Sequence, residues 1–254
     1  MVTFLRELDQ RNQLLSRYGW LCLAGAVVLL VLMPFYSVKV LGINALIKPT
    51  KFLISTVVFS WTMAWILDYL SEQRKVKVFS WVVVIVLSFE NIYISWQAFL
   101  GQTSHFNSST PFHEIMFGLM GLAVGVMTLW TAYMGLLFFR STRVELPTAY
   151  LWAIRLGILL FVLFALEGYA MGAILAHTVG APDGGEGLPF VNWSKNHGDL
   201  RIAHFLGMHA LQIIPLVGYY VLRKLPGLLL FALAYFALVT IVLMQAFRGL
   251  PLLG

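Results

Sequence analysis

Seven long apolar stretches run along this chain, separated by short segments that hold charged residues, glycine and proline. Each stretch is close to the roughly 20 residues that an α-helix needs to cross a bilayer. The pattern predicts an all-α, polytopic membrane helix bundle with about seven transmembrane helices. Their predicted bounds are 18–39, 45–70, 77–100, 111–139, 148–177, 200–222 and 226–247. Residues 1–17 are predicted to form a cytoplasmic amphipathic leader, and residues 18–254 a single seven-helix domain.

The composition supports the membrane class. Of the 254 residues, 60% are hydrophobic and 11% are charged, whereas a soluble domain carries about 25% charged residues. The net charge of +6 would suit nucleic acid only if the cations formed a patch. They lie instead between the apolar stretches, so we expect membrane lipid and no nucleic acid as a partner. The single cysteine, Cys22, excludes an intrachain disulfide and a cysteine-based metal site.

The distribution of Lys and Arg predicts the orientation of the chain. With the N-terminus inside, the inner segments hold more cations than the outer ones, as the positive-inside rule requires. The inner set is Arg6, Arg11, Arg17, Arg74, Lys75, Lys77, Arg140, Arg143, Arg223 and Lys224, and the outer set is Lys39, Lys48, Lys51, Lys195, Arg201 and Arg248. We therefore expect the N-terminus inside and the C-terminus outside.

All six histidines fall on the predicted outer side. Four of them are candidate metal ligands: His105 in a loop, His113 at the start of the fourth helix, and His204 and His209 in the sixth. Because imidazole is a common ligand of metals and haem, the cluster predicts a site in the outer half of the bundle. His113 and His204 are the expected axial ligands of a b-type haem, with His209 as the substitute. The alternative is that these histidines only form hydrogen bonds.

Other side chains could complete such a site. Met116 and Met120 follow His113 on one helix face, where thioethers suit copper or a haem edge, although methionine also packs helix cores. Arg201 and Lys51 are candidates to hold an anionic group of a cofactor, substrate or lipid, or they could simply meet lipid headgroups. Asp199 is predicted to cap the sixth helix.

Two carboxylates lie inside predicted helices, Glu90 in the third and Glu167 in the fifth. An intramembrane carboxylate is costly unless it is protonated, paired or facing water. Both are therefore candidate catalytic or proton-binding groups, and the alternative for each is a structural tie between helices. Tyr93 and Gln97 follow Glu90 at i+3 and i+7, which predicts a polar stripe on the third helix.

The segments SHFN at 104–107, TPF at 110–112 and GDLRIAHFLGMHALQ at 198–212 resemble a family of uncharacterised multi-span bacterial membrane proteins. The resemblance implies a bacterial inner-membrane location and no particular activity. HEXXH, GXSXG and Walker A motifs do not occur in the sequence.

Several functions agree with these features. The leading hypothesis is a membrane redox protein with a histidine-ligated b-type haem, or copper, in the outer half of the bundle. A second is a zinc-dependent membrane hydrolase, with Glu114 or Asp199 as general base. A third is a proton-coupled transporter or sensor for a small anionic ligand, and a fourth is a structural subunit of a larger complex. A quinone or a small periplasmic ligand is the partner expected for the site.

Overall fold

The chain folds into helices, and the computed structural model describes residues 2–140 and 145–252. The helices are α1 Val2–Arg11, α2 Gln13–Leu32, α3 Ile47–Leu67, α4 Gln73–Phe99, α5 Pro111–Arg140, α6 Thr148–Ile174, α7 Leu200–Tyr220 and α8 Leu225–Phe247. The longest connection between them, residues 175–199, joins α6 to α7. The connections contain a 3-10 turn at Met33–Phe35 and the strands β1 Lys39–Val40, β2 Ile43–Asn44, β3 Thr178–Val179 and β4 Gly198–Asp199. Arg143, counted above among the inner cations, lies outside the described residues.

Within those ranges, seven helices, α2 to α8, are long and apolar enough to cross a membrane. The all-α class is confirmed, and so is the predicted number of helices suited to crossing a membrane; together they indicate a multi-pass membrane protein. The orientation of the termini stays a prediction.

The first span begins earlier than the apolar pattern predicts, at Gln13 instead of residue 18. The reason is a helix cap: the side chain of Asn12 accepts the backbone N–H of Leu15 at 3.1 Å. Such a cap satisfies one of the N–H groups that a helix start leaves open. The leader helix α1 therefore ends at Arg11, and after the single cap residue Asn12 the first span begins.

Contacts along the chain divide it into two compact units, unit 1 over Met1–Trp130 and unit 2 over Thr131–Gly254. In unit 1, α2 packs against α3 and α4, and α3 packs against α4. Gly19 lets α2 approach α3, because a Cβ there would collide with the indole of Trp61. The predicted single domain over 18–254 stays a prediction.

In unit 2, α6 and α7 form the most extensive helix contact, and α8 packs against both. Glycines allow this approach: a Cβ at Gly207 would collide with the ring of Phe164. A Cβ at Gly157 would lie 3.0 Å from the Ala210 carbonyl oxygen and 3.1 Å from Cδ of Pro215. Side chains at these positions would push the two helices apart.

The segment between α6 and α7 is ordered by short-range hydrogen bonds. The predicted fifth span ends three residues early, at Ile174, because Leu175 adopts a left-handed conformation with φ 51°. The strands β3 and β4 then pair antiparallel. Asp199, at the end of β4, caps α7 by accepting the backbone N–H of Arg201 at 3.1 Å, which confirms the predicted cap.

Candidate functional site

Glu90 lies well inside α4, and only 3% of the residue is exposed. No described residue forms a hydrogen bond with its Oε1, although buried polar atoms nearly always have a partner. The ammonium group of Lys48, on the neighbouring helix α3, interacts with this carboxyl group electrostatically. Glu90 is therefore held inside unit 1 with an open oxygen.

Two amides on α4 are also incompletely bonded. Gln97 is fully buried, and neither its Oε1 nor its Nε2 has a partner among the described residues. Asn91 donates to Oγ1 of Thr56 at 3.0 Å, but its Oδ1 is left without a partner. Gln97 lies about 10 Å from Glu90 along the helix axis. The buried face of α4 therefore presents donors and acceptors that a polar ligand or water can use.

Lys48 and His105 join the start of α3 to the loop between α4 and α5. Nζ of Lys48 lies 3.2 Å from Nδ1 of His105, and Oγ of Ser104 lies 3.1 Å from the same nitrogen. Because an ammonium group has only hydrogens to offer, this Nδ1 must accept. The contact therefore requires a neutral His105 with its hydrogen on Nε2, and Lys48 supplies the positive charge.

His113 lies in the first turn of α5, with 9% of the residue exposed. Its Nδ1 is 3.3 Å from the hydroxyl of Tyr93 on α4. Met116 and Met120 pack against Tyr93 and Ile94 in an apolar cluster. A packing role for these methionines is observed, and a role as metal ligands stays a prediction.

Lys51 follows Lys48 by one turn of α3 and is partly buried. The two lysines place two positive charges in the first turns of a helix whose neighbour carries Glu90. Lysine is a point charge on a flexible stem, so it suits a small anion without imposing a fixed geometry.

In unit 2, His204 contacts α6 through its ring. Its Nδ1 lies 2.8 Å from the carbonyl oxygen of Phe164, and its Cε1 would lie 2.9 Å from a Cβ at Gly168. Oε2 of Glu167 is 3.2 Å from the same Nδ1. The geometry is not that of a hydrogen bond, so both oxygens of Glu167 lack a hydrogen-bond partner among the described residues. Two sequence-predicted residues thus lie side by side.

The other predicted residues of unit 2 have local partners. Arg201 donates to Asp199 from Nε at 2.9 Å and from Nη2 at 2.6 Å, and also to the carbonyl of Asn192 at 2.6 Å. His209 lies 3.1 Å from Oε1 of Gln212 through its Nδ1. Arg201 is therefore engaged in an ion pair, and its predicted role in holding an anion gains no support from this geometry.

The segment after α6 contains an ion pair that sequence reasoning missed. Nδ1 of His177 lies 2.7 Å from Asp183, whose carboxylate also accepts the backbone N–H groups of His177 and Thr178. Burial opposes ionisation, but these bonds and the charge of His177 hold the pKa of Asp183 well below its usual value. The adjacent Pro182 and Gly184 signal a turn, but they do not identify its partner.

Within residues 2–140 and 145–252, no three His, Cys, Asp or Glu side chains are grouped so that they could hold a metal ion. The predicted metal ligands His105, His113, His204 and His209 therefore gain no support from a ligand cluster.

No protein-family model, curated protein or solved structure matches this chain.

Proposed function

We propose that this protein binds a small anionic ligand in unit 1 and takes up a proton at Glu90, as a proton-coupled transporter or sensor. The observation that carries the proposal is the buried Oε1 of Glu90, which has no partner among the described residues. A carboxyl group in that setting is retained at a cost to stability, and function is the ordinary reason for such a cost.

The charges around Glu90 favour an anion as the ligand. Lys48 and Lys51 bring two positive charges to the start of α3, and the neutral His105 leaves the charge of Lys48 in place. The open amide of Gln97 offers a donor and an acceptor to the polar part of the ligand.

Proton uptake follows from electrostatics. An anion about 5 Å from an ionised carboxylate would be repelled by roughly 3 kcal/mol at an effective dielectric constant near 20. Protonation of Glu90 removes this repulsion, so the anion and the proton bind together. Binding should consequently weaken as the pH rises.

We also propose the predicted orientation, with the N-terminus inside, in a bacterial inner membrane. The start of α3 and the end of α4 then face the outer side, so the ligand would enter from the periplasm. The excess of Lys and Arg in the inner segments supports this orientation.

The test uses the intrinsic fluorescence of Trp96, the residue before Gln97. The centres of the Trp96 and Tyr93 rings are 6.1 Å apart. The purified full-length protein is titrated with acetate, lactate and inorganic phosphate at several pH values. We expect a saturable change for at least one of these anions, stronger at low pH and absent in Trp96→Phe.

Two variants assign the roles. Lys48→Met should weaken binding by about tenfold or more, because a hydrogen bond to a charged group contributes about 1.5–3 kcal/mol. The matched control is Lys195→Met, which removes an exposed lysine from unit 2 and should leave binding unchanged. Glu90→Gln mimics the protonated state, so it should bind the anion at all pH values and lose the pH dependence. Wild-type binding that does not depend on pH would contradict the role of Glu90.

A second candidate function, a haem-dependent redox protein, is favoured by one observation in unit 2. Metal-bound histidines usually donate their other ring nitrogen to a carbonyl or carboxylate. His204 has this arrangement, with Nδ1 on the Phe164 carbonyl and, among the described residues, no hydrogen bond at Nε2. A haem would be held through Nε2 of His204 and would supply one-electron chemistry.

The absorption spectrum of the purified protein before and after dithionite separates the two functions. A Soret band that is lost in His204→Ala would favour the redox protein. A colourless protein that binds the anion would leave the transporter or sensor.

A further inference from the structure

Two serines in unit 1 are buried without hydrogen-bond partners. Ser60 on α3 is fully buried and Ser16 on α2 is 1% exposed, and neither Oγ has a partner among the described residues. Other hydroxyls of α3 bond to the carbonyl four residues earlier, as Thr56 does at 2.9 Å and Thr62 at 2.7 Å. Ser60 has the same local option and does not use it, so its hydroxyl is available to another group.

These serines extend a line of polar contacts that begins at Asn91, the residue after Glu90 on α4. Asn91 donates to Thr56 across the α3–α4 contact. The hydroxyl of Tyr18 on α2 accepts from Oγ of Ser88, three residues before Asn91 on α4, at 3.2 Å. Three helices therefore bring polar groups to one level in the core of unit 1.

The line continues toward the end of unit 1 where α2 begins. Ser60 lies one turn beyond Thr56 on α3. The next residue, Trp61, donates from Nε1 to the backbone carbonyl of Ser16 on α2 at 3.1 Å. Asn12 then donates to Oγ of Ser80 at 2.9 Å.

The spacing of these groups suits bridging water. Ser80, which bonds to Asn12, and Glu90 are separated by about 15 Å along α4, so the track covers about half of the hydrocarbon thickness of a bilayer. Thr56 to Ser60 and Ser16 to Asn12 are steps of about 6 Å each, and one water molecule with two hydrogen bonds spans roughly that distance.

We propose that the core of unit 1 holds a hydrated polar track from Glu90 past Thr56, Ser60 and Ser16 to Asn12, and that this track carries protons. The carboxyl group of Glu90 gives its proton to a bound water, and each water passes one proton to the next. The side chains hold the waters and keep their own charge state, so the proton is the only species moved. The inference rests on the proposed role of Glu90 and adds the path by which its proton leaves.

The test measures proton flux into liposomes that contain the full-length protein and the trapped pH dye pyranine. A pH gradient is imposed, and valinomycin with potassium compensates the charge. Ser60→Val replaces the hydroxyl by a methyl group, adds another methyl group and should lower the flux by about tenfold, the effect of losing one net hydrogen bond. Thr62→Val is the matched control, because the Thr62 hydroxyl is satisfied within its own helix. It should leave the flux unchanged.

Anion binding at Trp96 is measured on the same samples. In Ser60→Val it should stay as in the wild type, whereas in Glu90→Gln the flux should be lost and anion binding retained. Equal flux in wild type and Ser60→Val, with Glu90→Gln still blocked, overturns the track and leaves the proposed function intact. If the wild-type protein shows no anion binding at Trp96 but its proton flux still requires Ser60, the proposed function is overturned and the track stands. If Ser60→Val does not fold, Ser60→Ala keeps the side chain small and must show lower flux for the track to stand.

Discussion

The two units treat their buried polar groups differently. In unit 2, the side chain of Asp199 is fully buried and accepts four hydrogen bonds, three from Arg201 and one from the backbone of Ser194. Asp183 is bonded by His177 and Thr178. In unit 1, Ser16, Ser60, Glu90, Asn91 and Gln97 each keep an atom without a partner among the described residues.

The position in the helix explains the difference. Asp183 and Asp199 lie outside helices or at a helix start, where backbone N–H groups are open and residues close in sequence supply partners. A side chain in the middle of a span finds every neighbouring N–H already used in the helix. An oxygen that needs a donor there must find it on another helix or on a ligand, whereas a hydroxyl can also donate to the carbonyl four residues earlier, as Thr62 does. Glu167, inside α6, is the corresponding case in unit 2, since both of its oxygens are open within the described part of the chain.

The largest effect is expected from Asp199→Asn in unit 2. The substitution leaves Arg201 without its counter-charge, and breaking a buried pair costs about 3–5 kcal/mol; one quarter of Arg201 is exposed, so we expect about 3 kcal/mol. The measurement is the free energy of unfolding of the detergent-solubilised protein, followed by circular dichroism. A loss below about 1 kcal/mol, the value of an exposed pair, would remove the distinction between the units.

Asp183→Asn should lower the free energy of unfolding by about 2 kcal/mol at neutral pH, since it weakens hydrogen bonds to a charged group. The pKa of Asp183 is lowered in the folded protein. Its contribution is therefore complete above the unfolded pKa, near 4, and is lost as the pH falls from there toward the folded value. Wild type and variant should converge in stability at low pH. A constant difference down to low pH would show that the carboxylate charge is not what stabilises this segment.

In unit 1 we expect a substitution to raise the free energy of unfolding instead of lowering it. Gln97→Met replaces a buried, unpartnered amide by an apolar side chain of similar size, so the free energy of unfolding should rise by about 1 kcal/mol. The same variant should lose anion binding at Trp96. A destabilised Gln97→Met protein would mean that this amide is bonded in the folded state, and the contrast between the units would fail.

The smallest effect is expected at the exposed pair of Glu186 and Lys195, which are 2.7 Å apart. The hydrogen bond and charge of Lys195 lower the pKa of Glu186. Solvent screens such a pair, so Glu186→Gln should leave thermal unfolding unchanged within error. A clear loss of stability would show that exposed pairs of unit 2 also contribute, and not only the buried ones.

The spans were predictable because hydropathy and length belong to each segment by itself. The seventh predicted span, 226–247, differs from α8, Leu225–Phe247, by one residue at its start. Two ends that differ have a local cause that hydropathy does not report: the side-chain cap of Asn12 at the start of α2 and the left-handed backbone of Leu175 at the end of α6. The buried stripe of Glu90, Tyr93 and Gln97 was also predictable, since helical spacing alone places these residues on one face.

The partners of the site residues were not predictable, because they depend on how each helix is rotated against its neighbours. The sequence by itself determined that Glu90 and Glu167 lie inside apolar helices and that Lys48 and Lys51 lie at a helix start. Only the tertiary structure decided that Lys48 lies against His105, that His204 uses the Phe164 carbonyl, and that Gln97 keeps both amide atoms open. The physical reason is that a hydrogen bond between helices requires an approach within about 3 Å, which the packing of both helices sets together.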